Sequence, residues 1–122
     1  MTSLTGAPAS LGSMELKDNP SLSSLAGATL PSSSFYVINN DALTTLNGIT
    51  VPPAAVLYHL RIEENGPLAS LSGLNNLGTV HQTFSILNNA TLPQCAAQAF
   101  SGRVAGGATR NISGNNTSAT CP

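Results

Sequence analysis

The stretch LRIEENGPLASLSG (60–73) holds the pattern that decides the fold. Leu60 and Ile62 alternate with Arg61 and Glu63, Asn65 follows, and Leu68, Leu71 and Gly73 close the run. The same order and spacing recur in MELKDNPSLSSLAG (14–27), FYVINNDALTTLNG (35–48) and FSILNNATLPQCAA (84–97). A degenerate copy starts at RNISGN (110–115), and an isolated closing hexad, MTSLTG, occupies 1–6. Five asparagines, Asn19, Asn40, Asn65, Asn89 and Asn115, mark the register at intervals of 21, 25, 24 and 26. Self-similarity at such a period belongs to repeat architectures, and variable spacing places the insertions in loops.

Each part of the unit has a physical reading. Alternation has the period of a strand, so Met14 and Leu16, Phe35 and Val37, Leu60 and Ile62, and Phe84 and Ile86 share one face. A single strand cannot bury that face alone, whereas strands stacked in parallel from successive repeats do. The expectation is a mainly β chain with little helix: a right-handed parallel β-solenoid of about five leucine-rich-repeat-like coils. Its strands lie at 14–16, 35–37, 60–62 and 84–86, with a weaker fifth near 112. An asparagine amide both donates and accepts, so the repeated Asn forms a ladder between coils. Gly6, Gly27, Gly48 and Gly73 end the hexads where positive φ is expected. The competing reading makes Asn and Gly ordinary turn residues, and the leucines three apart one face of a short helix.

Composition excludes several functions. Only 7% of the 122 residues are charged, against roughly 25% in a typical globular protein, and the formal net charge is −1. Four Lys and Arg residues give no footprint for nucleic acid. VPPAAVLY (51–58) is typical of the apolar runs, and none reaches the roughly 20 residues of a membrane span. For catalysis, His59 and His81 fall in different columns of the repeat and neither has an acid near it in sequence. Glu15, Asp18, Asp41, Glu63 and Glu64 scatter over three repeats, and Asn39 separates Asp18 from Glu64 in their shared column. Gly106-Gly107 lacks the Asp of calcium-binding nonapeptides. The chain is read as non-enzymatic, without metal or cofactor.

The repeat resembles the receptor L-domain family, the parallel β-helix of insulin and epidermal growth factor receptor ectodomains, and above all its bacterial and fungal cell-surface relatives, on residues such as LASLSGLNNLGTVHQTFSILNN (68–89). The resemblance runs from Met1 to Cys121 and implies one domain over 1–122. It departs from the receptor members in having no flanking cysteine-rich region and no N-terminal cap, so growth-factor binding does not carry over. Met1 opens in mid-repeat, which suggests an excerpt of a longer repeat region, or self-association through an uncapped N-terminal end. A short helix over 94–104 precedes the last coil and covers the other end.

Cys95 and Cys121 each lie six residues after a ladder asparagine, in adjacent coils. Strand spacing of about 4.8 Å suits a disulfide, which implies export to the cell surface or extracellular space. Two buried thiols in place of leucine are the alternative. The sequons at Asn89, Asn111, Asn115 and Asn116 are accounted for by the Asn-, Ser- and Thr-rich composition.

Function is sought in the residues that alternate with the core. They form two outward columns, Glu15, Tyr36, Arg61, Ser85 and Asn111, and beside it Lys17, Ile38, Glu63, Leu87 and Ser113. Tyr36, Ile38, Arg61, Glu63 and Leu87 are the candidate binding residues, since apolar and aromatic side chains around a lone arginine have the composition of a recognition patch. The partner is a protein or a glycan. The other class left open is a surface scaffold that assembles through solenoid ends or edges.

Overall fold

The computed structural model describes residues 13–25, 29–30 and 33–118. Strands β1 (Ser13–Lys17), β2 (Ser34–Ile38), β3 (Ala55–Glu63), β4 (Leu77–Leu87) and β5 (Thr109–Ser113) form one sheet in the order of the chain, and every neighbouring pair is parallel. The only α-helix among the described residues, α1 (Gln94–Arg103), lies in the connection between β4 and β5.

The register follows the repeat. Met14, Phe35, Leu60 and Phe84 stand opposite one another across the sheet, as do Leu16, Val37, Ile62, Ile86 and Ile112. The first four of each row are buried. So are the closing leucines Leu22, Leu25, Leu43, Leu46, Leu68, Leu71 and Leu92, which therefore line the same core. The described hexads at 22–25, 43–48 and 68–73 are not α-helical; a single 3-10 turn at Ser72–Leu74 overlaps the end of the third. Parallel bridges Thr45↔Ser70 and Thr29↔Thr50 join successive connections away from the main sheet.

The asparagines form a continuous hydrogen-bonded row. In each step the backbone N–H and side-chain Nδ2 of one Asn donate to Oδ1 of the next: Asn19 to Asn40 (3.3 and 3.2 Å), Asn40 to Asn65 (both 3.1 Å), Asn65 to Asn89 (3.0 and 3.2 Å) and Asn89 to Asn115 (3.1 and 3.0 Å). Nδ2 also donates backward to the strand before: Asn40 to the Leu16 carbonyl, Asn65 to Val37, Asn89 to Ile62 and Asn115 to Ile86. Hydrogen bonds of this kind offset the desolvation of the buried amides and fix the stacking of the repeats.

The row ends on a residue that is not one of the ladder asparagines. Gln94, at the start of α1, accepts from Asn115 Nδ2 through Oε1 (2.9 Å) and donates through Nε2 to the Ile112 carbonyl (2.9 Å). Ile112 lies three positions before Asn115, as Leu16 does before Asn19. Gln94 thus makes two of the three contacts that a sixth asparagine would make. The C-terminal end of the core is closed by α1 itself, which buries Ala97 and Phe100, with Phe100 against Phe84 at 5.8 Å between ring centroids. Arg110 takes the core position in β5. Its guanidinium lies 5.0 Å from the Phe84 centroid and donates to the carbonyls of Ser101 and Val104 at 2.7 and 2.8 Å. Two carbonyls at the end of α1 thereby gain a donor, and the ring is covered by a cation.

Two features differ from the sequence expectation. The left-handed backbone falls on the residue before each ladder asparagine: Asp18, Asn39, Glu64, Asn88 and Gly114 have φ of 56°, 56°, 58°, 59° and 71°. This turns the chain sharply out of each strand and aims the following amide inward. Asp and Asn tolerate that region and Glu does so less well. Of the hexad glycines, Gly48 takes positive φ (98°), whereas Gly73 is required for another reason: a Cβ there would stand 1.9 Å from the Leu46 carbonyl oxygen. Gly6 and Gly27 lie outside the described residues. Gly73→Ala is expected to lower the unfolding free energy by about 2 kcal/mol through overpacking against backbone. Gly66, which has nothing within 4 Å of its would-be Cβ, is expected to become slightly stabilising as Ala. Urea denaturation of the two variants should move in opposite directions.

The second difference concerns β3 and β4, which start well before 60 and 84. Both carry register shifts, between Ala55 and Val56 and between Leu57 and His59. The Ser33 carbonyl accepts from both Tyr58 N–H (2.8 Å) and His59 N–H (3.1 Å), two residues against one, as in a β-bulge. The second half of VPPAAVLY is therefore strand. His59 and His81, expected just before their strands, lie inside them.

Candidate functional site

The two outward columns stand in the register read from the sequence: Glu15, Tyr36, Arg61, Ser85 and Asn111 are successive partners, and Lys17, Ile38, Glu63, Leu87 and Ser113 are too. The sheet thus brings all five candidate residues together. Tyr36 and Arg61 lie in one row, and Ile38, Glu63 and Leu87 in the next, on strands spaced by about 4.8 Å. Tyr36, Ile38, Glu63 and Leu87 are half-buried and Arg61 is exposed.

Arg61 is not alone. Its Nε donates to Glu63 Oε2 at 2.8 Å and a terminal nitrogen donates to Oε1 at 3.3 Å, a two-point pairing along one face of β3. Ser85 donates its hydroxyl to the same Oε2 at 2.8 Å, which explains why Ser85 is buried rather than solvated. The guanidinium also lies 5.7 Å from the Tyr36 ring centroid. Hydrogen bonding to Glu63 raises the Arg61 pKa above its ordinary value against the opposing effect of burial, with charge attraction from Glu63 and Tyr36 adding to it. The result is a guanidinium locked in orientation by a carboxylate, with apolar side chains on either side of that carboxylate. At the β1 end, Lys17 and Glu15 approach at 3.8 Å, both exposed.

The bulges add residues that period-two reasoning misses. Tyr58 and His59 both turn outward between buried Leu57 and Leu60, and His81, Gln82 and Thr83 all turn outward between buried Val80 and Phe84. Tyr58 and His81 meet with ring centroids 5.3 Å apart. Val56 and Tyr58, 42% and 45% exposed, are the large hydrophobics most open to solvent among the described residues. The signal in the sequence is the three-residue interval from Leu57 to Leu60, where alternation demands two.

Among the described residues no three His, Cys, Asp or Glu side chains come close enough to hold a metal ion, and no helix is long and apolar enough to cross a membrane. Asp18 Oδ1 accepts from Asn39 Nδ2 at 2.7 Å, so the amide between the acidic residues of that column is engaged with one of them. Cys95 is half-buried at the start of α1, and Cys121 lies outside the described residues. Asn89 and Asn115 are buried with their amides held in the row. What fold and site define is a five-stranded parallel sheet with a buried asparagine row and a polar-centred outer face. No protein-family model, curated protein or solved structure matches the chain.

Proposed function

We propose that the chain is a non-catalytic recognition or adhesion module, a right-handed parallel β-solenoid of about five coils spanning 1–122 and akin to receptor L domains, which acts outside the cell or on its surface. The observation that carries the reading is the outer face of β2, β3 and β4: a locked Arg61–Glu63 pair framed by Tyr36, Ile38 and Leu87. A sheet face with only a solvating role has no use for half-buried apolar and aromatic side chains around an oriented guanidinium. The scaffold alternative, stacking through the solenoid ends, is weakened at the C-terminal end, where Gln94, Arg110 and α1 cover both the asparagine row and the core.

Binding to arrays of extracellular protein domains and of glycans tests this reading. Tyr36→Ala and Arg61→Ala should each abolish the signal while shifting the thermal midpoint little, because neither side chain belongs to the core. Unchanged binding in both variants would move the site to the loops, and concentration-dependent filaments in sedimentation would favour the scaffold.

Export rests on a bridge between Cys95 and Cys121, closing a loop of about 25 residues with a stabilisation of roughly 3 kcal/mol on chain-entropy grounds. Mass spectrometry of non-reduced peptides should find the two joined. Two free thiols would remove the main support for an oxidising compartment.

A further inference from the structure

We propose that the ligand of the outer face is an uncharged glycan, with one sugar ring seated at Tyr36, Arg61 and Glu63 and its chain running along β3 toward the Tyr58–His81 pair. This rests on the recognition reading above and narrows it to one chemical class.

The first support is the state of Arg61. A guanidinium carries five N–H groups, and two of them are taken by Glu63. Five less two leaves three without an acceptor among the described residues, on a group whose direction is already fixed. Sugar hydroxyls, which accept and donate, suit such a fork beside carboxylate oxygens. The preorganisation removes an ordering cost that a free arginine would incur on binding.

Charge supplies the second support. Arg61 and Glu63 cancel, Ser85, Tyr36, Ile38 and Leu87 are uncharged, and the nearest charges on β1, Glu15 and Lys17, are matched to each other. These residues present no net charge of their own to an ionised ligand, and an anion approaching Arg61 also approaches Glu63. An uncharged polar ligand loses nothing by comparison.

Size and shape supply the third. A stable protein–protein interface covers about 800 Å² on each partner around aromatic or arginine anchors seated in pockets. The face here is six residues on a sheet, Tyr36, Ile38, Arg61, Glu63, Ser85 and Leu87, four of them polar. Its aromatic surfaces are the Tyr36 ring under Arg61 and the Tyr58–His81 pair. Tyr58 precedes Arg61 by three residues, about 10 Å of strand, which accommodates more than one ring of an oligosaccharide stacking its C–H faces on aromatics.

The test is a glycan microarray carrying neutral hexose and N-acetylhexosamine oligomers beside sialylated and sulfated ones, with an array of extracellular protein domains run in parallel. Thermal midpoints confirm that each variant is folded. The wild-type chain should bind neutral oligomers with an affinity that does not change from low to high salt. Arg61→Ala and Tyr58→Ala should each weaken binding by about tenfold or more, the equivalent of one good polar or stacking contact. Glu63→Gln, which leaves the Arg61 charge uncompensated, should shift the preference toward sialylated or sulfated oligomers, an effect that a merely structural role of Glu63 would not produce. Wild-type retention by charged glycans alone, with strong salt dependence, overturns the proposal. Binding confined to protein domains and lost in Tyr36→Ala overturns it too but leaves the recognition reading standing. Absence of any Tyr36-dependent binding removes both.

Discussion

Asn65→Ala is expected to lower the unfolding free energy by on the order of 3 kcal/mol, because more than one buried group loses its partner and each such loss costs about 1–3 kcal/mol. Asn65 Oδ1 accepts from the Asn40 backbone N–H and Nδ2, and Asn65 Nδ2 donates to Val37 O and Asn89 Oδ1. Alanine strands both sides of the step inside a fully buried site. Aspartate would be no remedy. It could still accept from Asn40, but it would turn an oxygen toward the Val37 carbonyl and the Asn89 oxygen. Asn76, exposed and making one bond to Val51 O at 3.1 Å, provides the comparison: its replacement by Ala should cost well under 1 kcal/mol. Denaturant midpoints at constant slope measure both, and equal effects would mean that the row carries no particular share of the stability.

Phe84→Ala should be costlier still, about 4 kcal/mol, the range found for emptying a large aromatic site in a packed core. Phe84 is fully buried and holds the C-terminal end together: Phe100 of α1 packs on it and Arg110 caps its ring. The loss should therefore be uneven. Amide exchange in α1 should accelerate more than exchange in β1 and β2. Phe35→Ala opens a site of equal burial far from the helix and should leave α1 the better protected of the two variants. If both variants loosen α1 equally, the helix is not anchored through Phe84.

Most of the sheet was legible because two independent periodicities agree. Alternation at 14–16, 35–37, 60–62 and 84–86 gives the strand faces, and the asparagines give the register, so the outward columns could be written down residue by residue. The remainder depends on contacts that sequence spacing does not encode. Arg61 and Glu63 are two apart on one strand and so share a face, yet only the side-chain geometry shows that they pair and recruit Ser85. Tyr58 and His81 come together because bulges on adjacent strands break the period at the same level. The left-handed residues before each asparagine hide behind four different side-chain types. Gln94 stands in the fourth repeat at the place that Ser24, Thr45 and Ser70 hold in the others, and its part in the row follows from where α1 happens to begin.

The asparagine row is also a one-way structure. Each amide from Asn19 to Asn89 gives one Nδ2 hydrogen to its C-terminal neighbour and each from Asn40 to Asn115 offers its oxygen to the N-terminal one, so each junction from Asn19 to Asn115 is chemically the same joint. A duplicated unit, for example a second copy of 65–88 placed after the first, would find a matching donor behind it and a matching acceptor ahead. Gln94 would still occupy the final place, because it is tied to Asn115 and Ile112 rather than to any count of units. Length in such a protein can grow by gene duplication in the middle of the array, leaving the terminus unaltered, and the area of its outer face can be enlarged one strand at a time without redesigning either the joint or the stop.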